Sequence, residues 1–378
     1  MVTGSNSKNA DTIVIGGGLH GCSTALHLAM RGMKVLVIEK DRVGRHASSA
    51  NAGGVRRLGR ALPEVPLSVA SAEMWQNIEE LVDHDCGFVS TYQVKLALTD
   101  KHMEELSARA AKVRAIGFTH EEIIDQQTLR ELVPAVSPEC IGAMAVKGDG
   151  FANPFQTIQA FRTKCEQLGV IFHQGHGVEK IESTAGNWAV TTSQGTFNAA
   201  NLVNCAGAWG AKIASMVGDD LPLDVRAPML MITEKMPPFM NCVAGAQGIA
   251  FSFKQFPNGT VLVGGGHVGT AYPDTNETEL DYKGLALNAA LAERYFPIMK
   301  SAKIVRFWAG IEGYMPDLIP VIGQGCASDI IHSFGYSAHG YQLGPICGKI
   351  VSELVLDKKS TLPITPFSPQ RFSISLAA

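Results

Sequence analysis

Apolar and polar positions change period several times along this chain, and those changes predict its elements. Residues 12–15 are a β-branched run, after which Cys22, Ala25, Leu26, Leu28 and Ala29 fall on one helical face. Gly32 ends that helix, Val35–Ile38 makes a second strand, and Glu39 closes it. Residues 40–60, rich in Gly, Ala, Ser and Arg, show no clear period. Helical spacing returns at 67–83, 100–116, 126–132, 154–168, 208–217, 280–295 and 345–356, while 91–98 and 141–147 read as strands. Short strands at 178–182, 187–192 and 196–198, joined by Ala185-Gly186-Asn187 and Gln194-Gly195, suggest a meander. NLVNCAG (201–207) is an apolar strand ending in small residues. Residues 223–233, 249–254, 260–266 and 303–311 alternate like an antiparallel sheet.

Strands of parallel type therefore lie at the start, near the middle and, at 330–344, near the end. Antiparallel material lies between them. The economical architecture is an α/β fold with a Rossmann-type domain built from separated segments, 1–85, 150–220 and 320–378. An α+β substrate domain with an antiparallel sheet is then inserted as 86–149 and 221–319.

Two stretches, IVIGGGLHGC (13–22) and VLVGGGHVGT (261–270), carry Gly-x-Gly-x-x-Gly after a strand. The spacing cradles a dinucleotide pyrophosphate only where a helix follows and presents its N-terminus. The first stretch meets that condition. Gly16 makes the tight turn, Gly18 admits phosphate to the backbone, and Gly21 lets helix pack on strand. Glu39, at the end of the second strand, accepts from ribose hydroxyls. The second stretch is followed by TAYPDTNETEL, and Pro273 stands where a helix needs amides. It reads as a glycine-rich strand carrying His267, not a nucleotide site.

Composition narrows the class. A chain of 378 residues, 46% of them apolar, suggests two domains or one large one with substantial cores. No apolar run reaches the ~18 residues a membrane span needs. A net charge of −3 argues against nucleic acid as the main partner. The opening MVTGSNSKNAD lacks the apolar core of a secretory signal, and eight cysteines without CxxC spacing read as reduced, buried thiols. A cytoplasmic protein is the expectation.

Taken together, the Gly16–Glu39 unit, HASSANAGGVR (46–56), NCAGAWG (204–210), RFWAGIEGYMPDLIPVIG (306–323), GYSAHGYQLGP (335–345) and FSPQRF (367–372) resemble one family. It is the FAD-dependent amine oxidoreductases of the D-amino acid oxidase superfamily. Within it the chain is similar to glycine oxidase, sarcosine oxidase and the flavoprotein β subunits of sarcosine, opine and D-hydroxyproline dehydrogenases. The resemblance covers almost the whole chain. It implies FAD, held without a covalent bond, since GIEGYMPD (310–317) has no counterpart of the cysteine that links flavin in monomeric sarcosine oxidase.

By the same resemblance the phosphates and ribose fall to Gly16, Gly18, Leu19, His20, Glu39 and Lys40. Ser48, Ser49, Asn51, Ala52 and Gly53 approach from a second side, and Val178 meets the adenine. Ala206, Gly207, Trp209 and Gly310 wall the cofactor. His339, Gly340, Tyr341, Gln342 and Leu343 belong to a loop and helix start facing the flavin, where positive helix-end potential favours the reduced form. The candidate catalytic residues are Arg56, His267, Tyr341 and Gln342. Arg56 matches the arginine that grips the substrate carboxylate in sarcosine oxidases, a task suited to a planar fork. The alternative is a solvated charge among Arg56, Arg57 and Arg60. His267 matches an active-site histidine, the alternative being a core histidine satisfied by backbone. Arg226 and Arg306 are lesser candidates.

Two departures stand out. Glycine oxidase places a carboxylate-clamping arginine where this chain has Glu312, and monomeric sarcosine oxidase places a lysine where this chain has Gln342. The implied activity is oxidation of a small amine bearing a carboxylate, of D-proline, hydroxy-D-proline or sarcosine type, to an imine. Opine-type substrates follow close behind. The alternative is a flavoprotein of opine oxidase type that passes electrons to partner chains. A nicotinamide enzyme conflicts with the C-terminal flavin loop. The electron acceptor, whether oxygen, a quinone or partner subunits, is not legible.

Overall fold

A computed structural model describes residues 8–184, 186–327 and 329–372. The opening residues 1–7, read above as lacking a secretory core, lie outside the described residues, as does Ala185 of the expected turn. The chain forms an α/β fold of two large sheets. The first has strand order Val321–Gln324, Ile330–Phe334, Gly195–Asn204, Asn9–Ile15, Val35–Glu39, Ile171–Gln174. All of these pair in parallel except Val321–Gln324, which runs antiparallel to Ile330–Phe334. Strands Val178–Thr184 and Asn187–Thr192 extend Gly195–Asn204 as an antiparallel meander.

The second sheet runs Ile304–Ala309, Asp224–Thr233, Val261–Tyr272, Ser252–Gln255, Val243–Ala246, Val89–Ala97, Gly142–Phe151, Gly54–Val55. Only the Val243–Ala246 pairing with Val89–Ala97 is parallel along that path. Its core is aromatic, with Phe253 stacked on Phe296 at 4.2 Å and Phe251 on Tyr295 at 5.2 Å.

Several boundaries differ from the sequence pattern for physical reasons. The expected helix 67–83 is two, Val65–Gln76 and Ile78–Val82, broken at Asn77. Residues 196–198 and 201–204 belong to one strand, Gly195–Asn204, and the expected strand stops there, followed by a 3-10 turn, Gly207–Trp209, and a short helix, Gly210–Ser215. Ile171–Gln174 and Val243–Ala246 are too short and mixed to show a period. The second glycine triplet lies in strand Val261–Tyr272. Pairing with Asp224–Thr233 slips there between Pro228 and Leu230, so the glycines form a bulge. Gly265 and Gly266 have φ of +97° and +81°, and methyls on them would press on the backbone of Phe251 and Ala250.

The final helix begins at Gly340, five residues before the expected start at Pro345. Pro345 cannot donate within that helix. One carbonyl of the same turn, that of Gln342, is held from outside by Ser71 Oγ at 2.5 Å and Trp75 Nε1 at 2.8 Å. This helix, Gly340–Asp357, crosses the first helix, Leu19–Met30, along a ridge of glycines four residues apart. Cβ atoms on Gly340, Gly344 and Gly348 would press into His20, Leu19 and Ser23 respectively. Ser23 Oγ donates to the Pro345 carbonyl at 3.2 Å across the same crossing. The Arg31–Asp357 ion pair at its outer end is exposed and adds little. No helix of the described residues is long and apolar enough to cross a membrane.

The crossing has no spare volume. Gly348→Ala should therefore cost about 1–3 kcal/mol, as overpacking does, and lower the flavin retained per chain. Denaturant unfolding together with flavin absorbance tests this, and unchanged stability would refute the contact.

Candidate active site

Two helix N-termini meet at one cavity of about 1100 Å³ between the sheets. That exceeds the ~300–1,000 Å³ of ordinary ligand pockets. Gly18, Leu19 and His20 open the first helix at its wall, and His339, Gly340 and Tyr341 open the last. Gly16 has φ of +102°, and a methyl there would overlap the Cys205 carbonyl. A methyl on Gly18 would stand 2.9 Å from Ser48 Oγ, which accepts from the Leu19 amide at 2.9 Å. A methyl on Gly21 would strike the Gly16 carbonyl, so that glycine serves the loop itself as much as helix–strand packing.

Glu39 accepts from the Gly17 amide at 2.7 Å and the Asp41 amide at 2.8 Å, and burial raises its pKa. Its carboxylate thus braces the glycine loop while still facing the cavity. Lys40 lies 3.6 Å over the Trp209 ring and bonds Asn276, whereas Trp209 Nε1 donates to the Pro273 carbonyl at 3.1 Å. A hairpin tip of the second sheet thereby folds over the outer end of the cavity.

At the inner end His20 stacks on Tyr336 at 3.6 Å, and burial pushes its pKa down to about 3, which keeps it neutral. His339 Nδ1 lies 2.9 Å from the Glu64 carboxylate, yet burial still lowers His339 to about 4. The ring is neutral at pH 7 and donates to Glu64. Arg56 faces the cavity and spends only Nη1, at 2.8 Å on the Leu58 carbonyl. His267 also lines the cavity, half-buried and without a hydrogen bond among the described residues. Glu312 accepts from the Ala338 amide at 2.8 Å, and burial raises its pKa to about 7.

Of the residues singled out by sequence, Asn51, Ala52, Val178, Ala206, Gly207, Gly310 and Arg226 also line the cavity. Ser49, Gly53, Gln342 and Leu343 do not. Gly53 instead turns the chain at φ of +68° against the Ala152 carbonyl. Gln342 points back into the protein, donating to the Ser68 carbonyl at 2.8 Å and accepting from Arg60 at 3.3 Å. Leu343 is wholly buried in the core. Tyr341 reaches the wall, but its hydroxyl is taken by Thr157 at 2.6 Å. A side-chain role for Gln342 at the substrate, and for the Tyr341 hydroxyl, is therefore withdrawn. Arg306 is exposed on strand Ile304–Ala309, away from the cavity, and is withdrawn as well.

The structure adds residues that the sequence did not flag. Gln93 and Lys95 reach the cavity from strand Val89–Ala97, and Arg60 reaches it from behind Arg56. Lys254 is almost fully buried, bonded to the Ala52 carbonyl beneath Phe151 and Phe256, and desolvation lowers it to about 7. Cys205 lies in the wall, but burial pushes its thiol up to about 12 beside Thr24, so it is no nucleophile.

Paired helix ends, a glycine loop closed to side chains and an acid at the second strand's end suit a dinucleotide. Likeness to known proteins says which one. A family model described as FAD dependent oxidoreductase matches residues 11–354. The chain belongs to this family. Glycine oxidase of Geobacillus kaustophilus is 26% identical over 96% of this chain and 97% of its own. An opine oxidase subunit of Rhizobium meliloti is 26% identical over 97% and 99%. Among solved structures, L-proline dehydrogenase from P. horikoshii superposes with a TM-score of 0.90 at 25% identity, covering 98% of this chain and 99% of that one. The cofactor of this FAD dependent oxidoreductase is accordingly FAD, and the loop from Gly16, with Glu39 and the two helix N-termini, fits it.

Gly16→Ala and Glu39→Ala should each yield protein with little FAD, read as flavin absorbance per chain. Full loading of both would refute the site. Glu312 gives a pH test. Its carboxyl holds a proton in the folded chain between the ordinary value of 4.5 and about 7. The folded state binds more protons there, so the stability it confers is complete below that window and lost as pH rises through about 7. Glu312→Gln should flatten the fall in apo-protein stability between about pH 5 and 8. An identical slope in both proteins would show that Glu312 titrates normally.

Proposed function

We propose that the protein oxidises a small amino acid or secondary amine bearing a carboxylate, giving an imine. Bound FAD supplies the two-electron acceptor. The chain's own part is placement. Arg56 offers the free edge of its guanidinium to the carboxylate, which fixes the α-carbon relative to the last helix's N-terminus. The substrate nitrogen enters as the free amine, its α C–H leaves with both electrons, and a proton departs from nitrogen. Water then hydrolyses the imine. Neutral His20 and His339 put no positive charge beside the carbon as electron density leaves it. His267 offers a hydrogen bond from the opposite sheet. Residues 86–149 and 221–319 act as the substrate domain, and the raised pKa of Cys205 supports a non-covalent flavin.

The observation that carries this reading is Arg56, a cation at the inner cavity wall with its second nitrogen uncommitted. A second reading, that electrons pass on to partner chains, draws support from the near full-length likeness to the Rhizobium meliloti opine oxidase component. Anaerobic flavin bleaching with a panel of amino acids and N-alkyl amino acids tests the reaction. Turnover of the isolated chain with oxygen, against turnover only with an artificial dye, separates the two readings.

Arg56→Ala should weaken substrate binding by about 1.5–3 kcal/mol, the worth of a charged hydrogen-bonded contact. That is roughly ten- to a hundredfold in the substrate dependence of bleaching. Lysine should restore only part, since it lacks the fork. An unchanged dependence would remove Arg56 from the site.

A further inference from the structure

The cavity wall beyond Arg56 carries more positive charge than one carboxylate can use. Lys95 Nζ and Arg56 Nη1 lie 3.9 Å and 3.8 Å from the point where a Cβ on Gly59 would sit, so they stand within twice that distance of each other. Both line the cavity. Lys95 has no hydrogen bond or ion pair among the described residues, and burial followed by the Arg56 charge lowers its pKa.

Two of the nearby carboxylates are each paired with another arginine. Asp149 holds Arg57 at 2.9 Å and the Arg57 and Leu58 amides at 2.8 and 3.0 Å. Glu121 holds Arg109 at 3.1 and 3.3 Å and the Gly59 amide at 2.7 Å. Glu64 holds His339 at 2.9 Å and the Ala61 amide at 3.3 Å through one oxygen, while its other oxygen is buried without a hydrogen bond, and its charge acts on Arg60 and Arg56. Against the three cations Arg56, Arg60 and Lys95 stand Glu64 and Glu105, the latter bonded to Gln247 at 2.8 Å, so positive charge is in excess at this wall.

Next to Arg56 and Lys95, two further buried side chains each have an unpartnered atom. Gln93 is 6% exposed, and its Oε1 has no hydrogen bond. It sits two residues before Lys95, on the same face of the strand; its oxygen is an acceptor as placed, and a half-turn of the amide presents the NH2 group there as a donor instead. Arg60, 2% exposed, has Nη1 unpartnered at the same wall. A neutral substituent would satisfy a donor but leave the Arg56–Lys95 repulsion standing. An anion relieves both.

We propose that the substrate carries two carboxylates, the first held by Arg56 and the second, a few bonds away, by Lys95 with Gln93. The substrate class is then an amine dicarboxylate, such as an N-carboxyalkyl amino acid, rather than a simple monocarboxylate amino acid. This rests on the amine-oxidation reading above and narrows it.

The test uses the FAD-loaded protein, with a binding arm and a reduction arm. Glutarate and butyrate are titrated against the flavin absorption spectrum of wild type, Lys95→Met and Lys95→Arg. In parallel, iminodiacetate and N-(1-carboxyethyl)alanine are compared with sarcosine, D-proline and hydroxy-D-proline in anaerobic bleaching. Glutarate should bind wild type at least tenfold more tightly than butyrate. That ratio should collapse to within twofold in Lys95→Met and persist in Lys95→Arg, and the rate ratio of dicarboxylate to monocarboxylate amines should follow it. Equal binding of the two acids by wild type, or an undiminished ratio in Lys95→Met, would overturn the proposal. So would a preference for hydroxy-D-proline that depends on Lys95, since the site would then be a hydroxyl pocket. Bleaching by monocarboxylate amines alone leaves the reaction standing and sinks the second subsite. A glutarate preference without bleaching by any amine supports the anion pair and sinks the reaction.

Discussion

The close crossing of the first and last helices is the contact on which the site depends. Each helix alone presents a weakly positive N-terminus to solvent, where it attracts little. Brought together by Gly340, Gly344 and Gly348 against Leu19, His20 and Ser23, the two ends face one cavity, where their dipoles act on one molecule. A side chain larger than hydrogen at any of the three glycines would push the helices apart. The parallel strands set the direction of both helices, but the glycines set the distance.

Charge is distributed unevenly across the cavity. On the side of the first sheet, the histidines are buried into neutrality and Glu39 is spent on amides. On the side of the second sheet, cations from the 56–60 turn and from strand Val89–Ala97 outnumber the carboxylates available to them. Glu312 sits between, pinned to the backbone of the loop that leads into the last helix. Where the family resemblance implies an arginine, this chain thus has a carboxyl that tethers a loop, and the anion grip proposed above falls to Arg56. This is consistent with a substrate oriented by the second sheet and oxidised against the first.

Much of this was legible in the sequence where local rules operate. The β-branched run, the glycine triplet and Glu39 specify a βαβ unit without help from the rest of the chain. The second triplet was separable from the first because Pro273 forbids a following helix. Lys95 and Gln93 were not legible as site residues. Alternation in TYQVKLAL gives one polar face, and that pattern is the same whether the face meets bulk water or an internal cavity. Gln342 failed for the opposite reason. Pro345 looks like a helix start, so the residues before it read as a loop free to face the flavin, whereas they form a helical turn locked by Ser71 and Trp75. Lys254 gave no signal, because its burial depends on two phenylalanines about a hundred residues apart in sequence.

The helix crossing also fixes when in synthesis the protein can finish folding. Ser23 finds its partner carbonyl 322 residues later, at Pro345. At ~5–20 residues per second, the apolar face of the first helix waits on the order of tens of seconds for the surface that covers it. During that interval the nucleotide-binding βαβ unit exists without its second wall, and its exposed face is a target for holding chaperones or for aggregation. The cofactor pocket of this chain is therefore among the last features to form on the ribosome, although the residues that begin it are among the first to emerge.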